Sequence, residues 1–210
     1  MKATLTLHNL GQSLWLDNIT RDLLDNCTLK RYIDDFSITG LTSNPTIFEH
    51  AISKSSLYDA EVGRLMKAGL STEDVFFELA LQDLTRAADL FAAVHESTAG
   101  VDGFVSLELS PLMAYDTNKS VAAAKLLHDK GNRPNLYIKI PGTSEGVPAI
   151  EESIANGVAI NVTLLFSCEL GRGQQHSQST DCSRVTGNTE NQGEPANVPY
   201  CRQYVRLHVQ

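Results

Sequence analysis

Five short apolar runs, at residues 13–17, 36–45, 101–110, 136–142 and 157–166, alternate with stretches of helical spacing, and that alternation leaves the chain few folds to choose from. Strands that are each followed by a helix pair in parallel, because the crossover returns the chain to the same end of the sheet. Thr20 is a candidate N-cap for a first helix reaching about Tyr32. Pro45 biases Asn44 towards an extended backbone and suits the first turn of a following helix. Residues 53–68 and 71–97 carry strong helical patterns, the second opening on Ser71-Thr-Glu-Asp, with Val75, Leu79, Leu84 and Ala88 near helical spacing. A helical interaction module is the alternative for these two stretches, and the strands on both sides weigh against it. A further helix over 117–130 ends at Gly131, and another follows Thr143.

Side chains on a strand change face at every residue, so each run divides into two sets. Ile138 and Ile140 share a face that Lys139 does not. By the same rule Asp17 opposes Leu16, Thr42 and Asn44 oppose Leu41, Glu108 opposes Leu107 and Leu109, and Asn161 and Thr163 oppose Ile160, Val162 and Leu164. These polar residues fall towards the C-terminal ends of their strands, where the active sites of parallel barrels are built. Burying so many polar groups is costly unless they satisfy one another or a ligand. The expected architecture is therefore α/β, a (β/α)8 barrel with a polar site on its axis. A doubly wound open sheet is the alternative, and no G-x-G-x-x-G or phosphate-binding loop sequence follows the first strand to support it.

A lysine held among apolar walls is less easily kept as ammonium, and the free amine attacks a carbonyl to give a Schiff base. The protonated imine then draws electrons from an adjacent carbon–carbon bond. Such chemistry needs a base for the hydroxyl beyond that bond, and an acid and a water for the dehydration steps. Asp17 and Glu108 suit the proton transfers, and Asn44 and Asn161 suit the holding of sugar hydroxyls.

Composition removes several other classes. A net charge of −8 with scattered cations argues against a nucleic-acid surface. No apolar run reaches the length of a membrane span, and the N-terminal residues lack the apolar centre of a signal peptide, so a cytoplasmic protein without a membrane partner is expected. Cysteines at 27, 168, 182 and 201 form no C-x-x-C pair and no zinc spacing, so no metal site is expected.

Leu-Trp-Leu-Asp-Asn-Ile-Thr-Arg at 14–21, Gly-Leu-Thr-Ser-Asn-Pro-Thr-Ile-Phe at 40–48, Asp-Gly-Phe-Val-Ser-Leu-Glu-Leu-Ser-Pro at 102–111, Ile-Lys-Ile-Pro-Gly-Thr at 138–143 and Asn-Val-Thr-Leu-Leu-Phe-Ser at 161–167 resemble the successive signatures of the transaldolase family in its longer bacterial type. The resemblance runs from about residue 10 to Ser167. It implies a class I aldolase type barrel in which Lys139 is the Schiff-base lysine and Asp17 the acid/base for carbon–carbon cleavage. It further implies that Glu108 with Thr163 orders the catalytic water, and that Thr42, Asn44 and Asn161 bind a dihydroxyacetone unit. The implied activity moves that unit between sugar phosphates, from sedoheptulose 7-phosphate to glyceraldehyde 3-phosphate, in the pentose phosphate pathway. No metal or organic cofactor is implied.

From Cys168 onward the text changes character: residues 168–210 hold none of the eight lysines, six of the eight glutamines and three of the four cysteines, without strand or helix periodicity. The family continues here with three more strand–helix units carrying the serine and arginine residues that bind substrate phosphate, and none of them is recognisable in this tail. The expectation is an aberrant, disordered tail produced by a shift of coding frame after five strands, with a natural disordered tail as the alternative. Three functional readings follow: a transaldolase, a class I aldolase of the same superfamily that releases its fragment, or a catalytically silent remnant. An incomplete barrel exposes sheet edges, so the chain as written is expected to have little activity.

Overall fold

The computed structural model describes residues 3–164 and the backbone of 205–207. Helix α1 (Ala3–Asn9) precedes strand β1 (Leu14–Asp17), helices α2 (Arg21–Asp25) and α3 (Thr28–Phe36), and strand β2 (Gly40–Thr42). Helices α4 (Pro45–Lys54), α5 (Asp59–Lys67) and α6 (Thr72–Ser97) then lead to β3 (Phe104–Glu108), α7 (Thr117–Gly131), β4 (Leu136–Pro141), α8 (Gly146–Ala155) and β5 (Ile160–Thr163), with β6 (Val205–Leu207) last. The expected α/β fold, five parallel strands alternating with helices, is present. Among the described residues no helix is long and apolar enough to cross a membrane.

The chain forms two compact units. The first holds α1 through Leu107 of β3, the segment Arg133–Leu136, and β6. Within it β6, β1, β2 and β3 pair in parallel, with Asp17 opposite Thr42 and Thr42 opposite Ser106. The second unit holds Glu108–Asn132 and the chain from Tyr137 through β5. There β4 and β5 pair in parallel, placing Lys139 opposite Asn161 and Pro141 opposite Thr163.

Local chemistry explains most helix ends. Thr20, Asn44, Ser71 and Asp116 each cap a helix by accepting a backbone N–H three residues on. The single helix expected over 20–32 is corrected to two. Asn26 Oδ1 accepts the N–H of Thr28 at 2.9 Å and Cys27 adopts φ 61°, so a local turn competes successfully with helix continuation. The 53–68 stretch also divides: Ser55 accepts the N–H of Leu57 and starts a single 3-10 turn, Ser56–Tyr58, before α5. The C-terminal cap of α7 is Asn132, at φ 44° with its N–H on His128 O, and Gly131 remains helical. Residues 205–207 pair in parallel with Leu14–Leu16 of β1. Such pairing uses backbone groups and requires no side-chain period. The expectations for the rest of 168–210 lie outside the described residues.

The core of the first unit gathers at Leu14, Trp15, Leu16, Leu41 and Phe104, all buried. Trp15 donates its indole N–H to Asp102 at 3.4 Å, and Ser13 donates to the same carboxylate at 2.7 Å. The indole lies so close to Gly40 that a Cβ there would sit 2.3 Å from the ring. Gly40→Ala is therefore expected to lower the stability of the first unit by about 1–3 kcal/mol, since backbone or indole must give way. Chemical denaturation checks this, and an unchanged midpoint would show that the indole swings aside freely.

Candidate active site

In the second unit Lys139 points away from Ile138 and Ile140, which are fully buried, as the two-residue period requires. Lys139 is itself only 4% exposed, and its Nζ donates to Glu108 Oε2 at 2.9 Å. Purely apolar walls are thus not what surrounds it: the ammonium head meets a carboxylate whose side chain keeps 26% exposure. A buried pair of this kind is held by charge attraction and a hydrogen bond against the cost of desolvating both groups. Leu109 N–H donates to Lys139 O at 3.2 Å, so backbone pairing sets the level at which Glu108 meets the lysine. Asn161 is the β5 neighbour of Lys139 in register, and Thr163 lies two residues further along that strand. The Thr163 hydroxyl is buried without a hydrogen-bond partner. Two of the expected residues, Lys139 and Glu108, are therefore in direct contact, and Asn161 and Thr163 lie on the adjacent strand.

In the first unit Asp17, Thr42 and Ser106 form one row across three parallel strands. All three are buried, and the Thr42 hydroxyl has no hydrogen-bond partner. A hydroxyl left this way is costly in a folded chain unless it meets a ligand or water. Asn44 Oδ1 accepts the Ile47 N–H at 2.9 Å and caps α4. The register of β2 and β3 aligns Ser106 with Thr42. Among the described residues no group of three or more His, Cys, Asp or Glu side chains is gathered as a metal would require.

Parallel strands alternating with helices define an α/β protein, with a buried lysine–carboxylate pair in its second unit. The Transaldolase/Fructose-6-phosphate aldolase family matches residues 14–174, and the chain belongs to that family. The match reaches slightly beyond Ser167, the last residue of the family-like motifs.

The chain is similar to the transaldolase of Trichodesmium erythraeum, at 43% identity over 165 residues, which covers 79% of this chain and 43% of that protein. It is 40% identical over 185 residues to the transaldolase of an Arthrobacter species, covering 88% of this chain and 50% of the relative. The transaldolase of Saccharopolyspora erythraea is 45% identical over 163 residues, covering 78% and 44% respectively. The chain spans about half the length of the curated relatives it matches.

Proposed function

We propose that the chain carries the Schiff-base machinery of a transaldolase, on a (β/α)8 barrel of class I aldolase type of which these five strands are part. The observation that carries this reading is the 2.9 Å contact between buried Lys139 and Glu108 within a chain of this family. Nζ of Lys139 attacks the carbonyl carbon of a ketose phosphate, and loss of water gives the protonated imine. The proton that leaves Nζ before attack has an acceptor at hydrogen-bond distance in Glu108. Glu108, with Thr163, then handles the water that is expelled and later returns. Asp17 takes the proton of the hydroxyl on the far carbon of the bond that breaks, which becomes the carbonyl of the released aldehyde. The electron pair of that bond moves into the imine, leaving an enamine on Lys139 and a free aldose phosphate. An acceptor aldehyde reverses these steps, and hydrolysis frees the lysine.

Thr42, Asn44 and Asn161 hold the hydroxyls of the bound three-carbon unit, and the buried, unpartnered hydroxyl of Thr42 supports such a role. Sedoheptulose 7-phosphate as donor and glyceraldehyde 3-phosphate as acceptor place the reaction in the cytoplasmic pentose phosphate pathway. The family description spans an aldolase as well, which would release its fragment to water. Transfer is preferred because the relatives cited above are all transaldolases.

The division of labour between the two carboxylates is testable. Asp17→Asn is expected to leave the borohydride-trapped adduct on Lys139 intact while release of glyceraldehyde 3-phosphate from fructose 6-phosphate falls by roughly 100-fold or more. Glu108→Gln is expected to slow adduct formation itself by a similar factor. Mass spectrometry of the Lys139 peptide reads the first step and aldehyde release reads the second. Equal loss of both steps in both variants would contradict the assignment.

A further inference from the structure

The loops that follow Glu108 and Lys139 are fastened to each other by two short side-chain hydrogen bonds. Thr143, in the loop after β4, donates its hydroxyl to Ala114 O at 2.6 Å. Thr117, at the start of α7, donates to Glu145 O at 2.7 Å. The Thr143 hydroxyl also accepts the Gly146 N–H at 2.9 Å, so one oxygen ties the β3 loop to the first turn of α8. Gly146 is drawn in so tightly that a Cβ there would lie 2.0 Å from Pro141 O and 2.8 Å from Thr143 Oγ1. On the other side the loop is held by Ser120, which donates to Met113 O at 2.9 Å, and by the Asp116 cap of α7.

Resting on the reading of Lys139 as the nucleophile, we propose that Thr143 is a positioning residue for the Lys139–Glu108 pair. Backbone pairing joins the two strands at Leu109 and Lys139, and the Thr143 hydroxyl joins the loops beyond them. The strands that carry Glu108 and Lys139 are thereby joined both by their backbones and by the loops beyond them, and this joint sets the gap between Nζ and the carboxylate. Valine in place of Thr143 keeps the branched shape but neither donates to Ala114 O nor accepts from Gly146. Serine keeps both bonds.

The experiment is the rate of cyanoborohydride trapping of fructose 6-phosphate on Lys139, followed by mass spectrometry and normalised to folded protein. The expected result is that Thr143→Val lowers the maximal trapping rate about tenfold or more, with the half-saturating fructose 6-phosphate concentration unchanged. Thr143→Ser is expected to stay within about twofold of the unaltered chain, because the fastening bonds remain. Leu127→Ala serves as the control, since it loosens the buried side of α7 without touching either loop bond, and its normalised rate is expected to be unchanged. Thr143→Val trapping at the unaltered rate, or Leu127→Ala falling equally, would overturn the positioning role while leaving Lys139 as nucleophile. Absence of any adduct on Lys139 in the unaltered chain would overturn the proposed function and this inference together.

Discussion

On the proposed reading of Lys139 as nucleophile, replacing it with methionine is expected to abolish the borohydride-trapped adduct and to slow any carbon–carbon cleavage the chain supports by roughly 10⁴-fold or more, because no other amine would take its place. Methionine has nearly the length of the lysine stem and no nitrogen, so packing between the β4 neighbours is kept while the nucleophile is lost. Glu108 loses its partner in this variant, yet its side chain is 26% exposed and can turn to water. The stability loss is therefore expected to stay near 1 kcal/mol, below that of stranding a fully buried charge. Digestion and mass spectrometry after treatment with fructose 6-phosphate and borohydride check the first part, and urea unfolding checks the second. Adduct formation at Lys119 or Lys130 at the unaltered rate would show that Lys139 is not the nucleophile.

A second large effect is expected far from that lysine. Arg21 follows the Thr20 cap, and its Nε donates to Asp83 Oδ1 at 3.0 Å in the middle of α6. Tyr58 donates its hydroxyl to the other oxygen of Asp83 at 2.7 Å and receives the backbone N–H of Arg21 at 2.9 Å. The guanidinium also lies over the Tyr58 ring, 4.4 Å from its centre. Asp83 is completely buried, and burial raises its carboxyl above the usual range although Tyr58 and Arg21 pull it down. Burial, with the adjoining Asp83, likewise pushes the Tyr58 hydroxyl upward. Arg21→Met removes the cation and strands the carboxylate, at an expected loss of about 3–5 kcal/mol near neutral pH.

The pH dependence of that loss follows from the direction of the Asp83 shift. With a folded value above the unfolded one, the folded state gains nothing from ionisation. The Asp83 contribution is fully present below the unfolded value and is lost as pH rises through the folded value. Taking Arg21 away removes one of the influences that lower Asp83, so the folded value rises further and the loss extends to higher pH. The stability gap between the unaltered chain and Arg21→Met should therefore narrow as pH falls from about 7 to about 5. Adding Asp83→Asn to Arg21→Met should recover part of the loss at pH 7, because the stranded charge is gone. Urea unfolding at both pH values checks this. A gap independent of pH, or no recovery in the double variant, would mean that the guanidinium acts through packing alone.

The division between the two levels of structure is visible residue by residue. The order of strands and helices, the caps at Thr20 and Ser71, and the polar character of Asp17, Thr42, Glu108, Lys139, Asn161 and Thr163 were legible in the sequence. Each depends on neighbours within about one helical turn or on the two-residue period of a strand. The break at Cys27 was hidden because the competing turn at Asn26 differs little in free energy from another turn of helix.

Only tertiary structure decided which polar residue meets which. The bond between Lys139 and Glu108 joins residues 31 apart, the one between Arg21 and Asp83 residues 62 apart, and the Thr143 latch residues 29 apart. At such separations a partner is chosen by strand register and by which helix packs over which strand, not by the local chain. The sequence by itself determined which strand side chains are polar and which face of each strand they occupy. Packing determined that the Lys139 amine faces a carboxylate rather than apolar walls, that Asn44 spends an oxygen on capping α4, and that Thr143 binds one loop to another. The physical reason is that a side chain's face is a property of its own backbone, whereas its partner is a property of the distant segments that share its burial.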